Sequence, residues 1–77
     1  MISQSNLARY VDALSHSDAG TREIARCAVA KYLDEMREAV AEYRKKINHP
    51  ALDDKTRATM QEIIDEYDKA KRRFDTA

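Results

Sequence analysis

In the stretch KKINHPALDDKT, residues 45–56, a histidine, a proline and two adjacent aspartates fall between two strongly patterned segments. His49 and Asp53 are four residues apart, and with Asp54 they imitate part of a metal site. A stable zinc site takes four protein ligands, or three and a water. The other histidine, His16, belongs to a different turn, and Cys27 lies in the apolar run IARCAVA, on a face expected in the core. The same residues have a structural use. Pro50 disfavours helical geometry at His49, and aspartates suit the positive end of the next helix. The stretch therefore reads as the turn of a hairpin, with Asp53 as N-cap and Asp54, Lys55 and Thr56 as the first turn of that helix. Neither a metal nor another cofactor is expected.

Catalysis by a Ser, His, Asp or a Cys, His arrangement needs a nucleophile, a base and an oxyanion hole converging on a cleft. A chain with a single glycine has little material for one. The acid pairs Asp34 with Glu35 and Asp65 with Glu66 are adjacent, and adjacent helical residues diverge by about 100° and do not share a site. Glu42 with Lys46, Asp65 with Lys69 and Asp68 with Arg72 are acid-first pairs at i, i+4, the pattern of a solvated helix face. The chain reads as a non-enzyme.

Two basic clusters bear on nucleic acid: Arg44–Lys46 and the run KAKRR, residues 69–73. Both fall in the last turns of helices, where the macrodipole favours positive charge without any ligand. An antiparallel hairpin separates them to opposite ends. A dimer that brings two copies of KAKRR together gives the alternative reading, a nucleic-acid-binding transcriptional regulator using Lys69, Lys71, Arg72 and Arg73. The segment TREIARCAVAKYL is similar in its Glu-Ile-Ala-Arg to the opening helix of a helix-turn-helix, but that motif needs a turn next, and here the apolar pattern runs on through Leu33 and Met36.

The elements that carry these residues are helical. Seventy-seven residues allow one domain, 1–77, and a chain of this length buries only roughly 60% of its unfolded surface, so association is a natural supplement. With 36% charged residues, one Gly and one Pro, the composition is that of an all-α protein, and 14 basic against 14 acidic residues leave no global field. Ser3, Ser5 or Asn6 can cap a short helix of about 5–15, in which Leu7, Tyr10, Val11 and Leu14 share a face. SHSDAGT marks a turn over 15–21, with Ser17, Asp18, Gly20 and Thr21 as alternative caps for a second helix. This helix, about 21–47, carries the seam Val29, Leu33, Met36, Val40, Tyr43, Ile47. A third, about 54–74, carries Met60, Ile64, Tyr67 and Phe74. The expected fold is a long antiparallel hairpin of the last two, with the short helix packed at one end, Met60 near Val40 and Phe74 near Ile24–Ala28.

One cysteine cannot form an internal disulfide, which points to a reducing, cytoplasmic setting. The N-terminus lacks a signal-peptide pattern and no apolar run approaches the ~20 residues that span a bilayer, so no membrane is expected. A second stripe on the long helix, Ile24, Ala28, Tyr32 and Ala39, is the candidate surface for another protein chain, the alternative being that the short helix covers it, a cover expected at the Ile24 end rather than at Tyr32 and Ala39. The function expected is a non-catalytic protein–protein interaction module, a small regulator or inhibitor of a larger partner, acting as a homodimer. A phage-encoded inhibitor of a host protein is one concrete form.

Overall fold

A computed structural model describes residues 4–76, and these form three helices and no strand: α1 Gln4–Ala13, α2 Ala19–Lys46 and α3 Asp54–Thr76. α2 and α3 pack as an antiparallel hairpin, and α1 lies against both near one end, in a rod of 47 × 21 × 19 Å. The chain is all-α, in the arrangement that the apolar spacing predicts.

Both corners use one local pattern, Asp-x-x-Thr-Arg. Asp18 caps α2 with extended backbone (φ −82°, ψ 125°), and its Oδ2 accepts from the Thr21 N–H at 2.8 Å and the Thr21 hydroxyl at 2.9 Å. Arg22 reaches back to donate to the carbonyls of His16 and Ser17 at 2.9 and 3.0 Å. In the second corner Asp53 accepts from the Thr56 N–H at 2.7 Å. Arg57 then donates to the carbonyls of Ile47, His49 and Leu52 at 2.9, 3.1 and 3.3 Å. The histidines complete the corners: Nδ1 of His16 accepts from the Asp18 N–H, and Nδ1 of His49 from the Ala51 N–H, each at 3.0 Å. Helix ends leave unpaired N–H and C=O groups, and here cap, arginine and histidine take up several of them.

The boundaries differ from expectation by about one half-turn. α2 starts at Ala19, because Asp18 is the cap among the four alternatives and Gly20 is already helical, with negative φ. α1 stops at Ala13, where tighter bonds take over, from the N–H of Leu14 to Val11 O and of Ser15 to Asp12 O. α3 runs two residues past Phe74, and the Thr76 hydroxyl bonds back to Arg72 O at 2.9 Å. Ser5 and Asn6 lie inside α1 rather than ahead of it, and Ser3 is outside the described residues.

The core draws on all three helices: Leu7, Val11 and Leu14 from α1, Ala25, Val29, Tyr32 and Val40 from α2, and Ile64, Tyr67 and Ala70 from α3. The seam of α2 therefore departs from the predicted one. Tyr32 is buried and Leu33 half-buried, because α1 and α3 together shift the covered face of the first half of α2 toward Ala25, Val29 and Tyr32. Phe74 lies beneath the Arg26 guanidinium, 5.0 Å from carbon to ring centre, and also borders Ala30 and Leu33. Met60 borders a depression beside Tyr43.

Candidate partner-binding surface

Ile24, in the second turn of α2, is 67% exposed, and among the described residues no other large hydrophobic side chain is classed as exposed. Ala28 and Ala39 are half-buried along the same helix. Tyr32, expected on this outer stripe, belongs to the core at 6% exposure, its ring 6.3 Å from that of Tyr67 and tilted by 45°. Burial of its hydroxyl, and after it the nearby Glu66 carboxylate and Tyr67, raise the Tyr32 pKa above the ordinary 10.0. Tyr32 is therefore a core residue and not part of the surface.

Helix geometry supplies what stands between these residues. Eleven residues make three turns of a straight helix, so Ile24 stands over Glu35 and Ala28 over Ala39, with Lys31 between them. Lys31 and Glu35 are exposed. Further along, Tyr43 of α2 and Thr59, Met60 and Ile63 of α3 line a shallow, mostly apolar depression with Lys55 and Thr56 at its rim. Tyr43, Met60 and Ile63 are each half-buried. Tyr43 and Met60 belong to the apolar stripes read from the sequence, but the opening beside them was not legible there, since a period locates a face and not the depth of its cover.

Cys27, expected on a core face, is exposed, with its thiol 3.9 Å from Glu23 Oε1. It stands two residues from both Ala25 and Val29, about 200° around the helix from each, which turns it away from the buried side. Among the described residues no three of His, Cys, Asp and Glu come together as a metal site. No helix there is long and apolar enough to cross a membrane.

The basic clusters lie toward opposite ends and are interleaved with acid. Arg44 pairs with Asp68, and Lys45 and Lys46 approach Glu42 at 3.9 and 3.8 Å. Of the other two acid-first pairs, Asp65 accepts instead from Gln61 at 2.8 Å, while Asp68 takes Arg44 in place of Arg72. Lys69, Lys71, Arg72 and Arg73 are exposed, but Lys71 and Arg72 border one depression with Asp65, Asp68 and Asp75. Arg73 donates to the Ser15 hydroxyl at 3.1 Å. The cations do not form a continuous basic groove.

The two cap carboxylates are also perturbed. The Thr21 N–H and then its hydroxyl hold Asp18 below 3.8, and the Thr56 hydroxyl and then its N–H do the same for Asp53. These are corner-forming roles. Comparison with protein-family models, curated proteins and solved structures finds no match to this chain.

Proposed function

We propose that this chain is a non-catalytic protein-binding module, a small cytoplasmic regulator or inhibitor of a larger partner that acts as a homodimer and binds through the outer face of α2. A phage-encoded inhibitor of a host protein is one concrete form. The observation that carries the reading is the exposure of Ile24 on a helix whose other large apolar side chains are covered wholly or in part. An isolated apolar residue on a surface is ordinary. Ile24 is set apart by its flanking small residue, Ala28, and by the open depression at Tyr43 on the same helix. Covering an isoleucine yields about 1.5–3 kcal/mol, which a partner would gain on docking.

The experiment is paired affinity capture from the native cell extract with wild type and Ile24→Glu, read by mass spectrometry. The expected result is a partner held by wild type and lost from the variant, with equal helical circular dichroism. Identical protein profiles from both would remove the reading.

A further inference from the structure

We propose that the groove between α2 and α3, where it continues beyond the N-terminal end of α1, takes an amphipathic helix of a partner protein and so extends the three-helix packing that α1 supplies at one end only. The inference rests on the protein-binding reading and names the chemistry of its partner. Two stripes define the groove. On α2, Tyr32, Met36, Ala39 and Tyr43 are spaced 4, 3 and 4, and on α3, read backwards, Ala70, Glu66, Ile63 and Thr59 have the same spacing, so each set lies on one helix face. α1 covers the first part of both. Leu7, Ala8 and Val11 share a depression with Glu66 and Ala70, and Leu7 and Val11 belong to the same buried cluster as Tyr32.

Cover is lost along these stripes. Tyr32 and Ala70 are 6% and 1% exposed, whereas Met36, Ala39, Tyr43, Glu66 and Ile63 are half-buried and Thr59 is exposed. Val40 and Ile64 remain buried, so the hairpin itself stays closed and only its flank opens. α1 is directed at that opening: the bond from Arg73 to Ser15 holds its C-terminal end beside the end of α3, and its N-terminal end points along the rod toward Ile63 and Tyr43. Among the described residues, none of α1 lines the depression of Tyr43, Thr59, Met60 and Ile63.

The occupant is read from what already fills the same groove. α1 buries Leu7, Val11 and Leu14, at i, i+4 and i+7, each to 6% exposure or less. A partner helix with aliphatic side chains at that spacing presents the same ridge, and helix-in-groove docking uses such anchors. The open stretch of α2 from Met36 to Ile47 is about 16 Å long at a helical rise, three turns, which accommodates all three. Lys55, at the rim, makes no ion pair among the described residues, which suits an acidic flank on the incoming helix.

The test is a titration of the full chain, isotope-labelled at its methionine methyls, with a synthetic alanine-rich helical peptide carrying leucines at i, i+4 and i+7 and glutamates on one flank. A control peptide has glutamine for each leucine. The Met60 methyl resonance is expected to shift and saturate with the leucine peptide and to stay in place with the control. Tyr43→Glu and Thr59→Glu should each weaken binding at least about tenfold, since a carboxylate in the groove must lose its water beneath the peptide. Thr59 is exposed, so its variant tests the groove without touching the core, and circular dichroism checks every variant. Ile24 stands about 100° around α2 from Tyr43, so Ile24→Glu should leave the affinity unchanged. No Met60 shift at millimolar peptide, a shift shared by the control, or an affinity indifferent to Thr59→Glu overturns the groove. Loss of peptide binding in Ile24→Glu also overturns it and moves the contact to the outer face of α2. In each of these cases, Ile24-dependent capture of a protein from cell extract would still uphold the binding module.

Discussion

The rings of Tyr32 and Tyr67 meet at 6.3 Å in the interior of the rod and tie the middle of α2 to α3. Aromatic pairs at this separation contribute about 0.5–1.5 kcal/mol beyond the area they bury. Replacing Tyr32 by Ala is therefore expected to cost about 3–5 kcal/mol, the range for large aromatic truncations, and Tyr32→Phe far less. Urea unfolding followed by circular dichroism measures both. Near-equal midpoints for wild type and Tyr32→Ala would contradict the burial.

The same hydroxyl makes stability depend on alkaline pH. Its folded-state pKa is raised, so the native state retains a proton that the unfolded chain releases at about 10. Stability is thus full below pH 10 and falls as pH rises from there toward the folded value. Tyr32→Phe should flatten the decline, as seen in thermal midpoints between pH 8 and 11.

At the acid end the sign reverses. Asp18 and Asp53 have lowered folded-state values, so their contribution is present above pH 3.8 and is lost as pH falls through those values. The double variant Asp18→Asn/Asp53→Asn keeps acceptor oxygens at both caps. It should match wild type closely near neutrality and show a shallower loss of thermal midpoint below pH 4.

Arg57 holds three carbonyls of the second corner with one guanidinium. Arg57→Ala is expected to destabilise the chain by about 1.5–3 kcal/mol, the range for a hydrogen bond to a charged group. Arg57→Lys recovers only part of this, because an ammonium lacks the planar fork. Chemical denaturation of the three proteins ranks them, and equal stability of Lys and Arg would rule out the fork as the cause.

For nucleic acid, the carboxylates among Lys71 and Arg72 predict weak binding to duplex DNA even at low salt, with no change on Arg72→Glu/Arg73→Glu. Fluorescence anisotropy across a salt series measures this. A steep loss of affinity with salt that disappears in the double variant would favour the regulator reading instead.

Apolar spacing made the helices legible in the sequence, since Val29, Val40, Ile64 and Tyr67 belong to stripes that recur every three or four residues, and all four are buried. Tyr32 and Leu33 were less legible. They are one position apart, both apolar, and only the direction from which α1 arrives decides which goes inside. Cys27 was misassigned for a related reason, because IARCAVA is apolar on nearly every face and its own pattern selects no outer side. Of the candidate surface, Ile24, Ala28 and Ala39 could be named from spacing. The depression at Tyr43 could not, since it forms where side chains of two helices fail to fill a gap. The arginine-braced corners did leave a signal, Asp-x-x-Thr-Arg at 18–22 and again at 53–57.

Those corners bear on speed as well as strength. Every bond that Arg22 and Arg57 make to the chain behind them closes within ten residues. Each reversal can therefore be rehearsed by a short peptide segment before distant parts of the chain have met. Closing a ten-residue loop takes only about 10–100 ns. With its sharp bends specified locally, the chain avoids a long search for topology and belongs among the rapid folders of the helical class, in the microsecond to millisecond range.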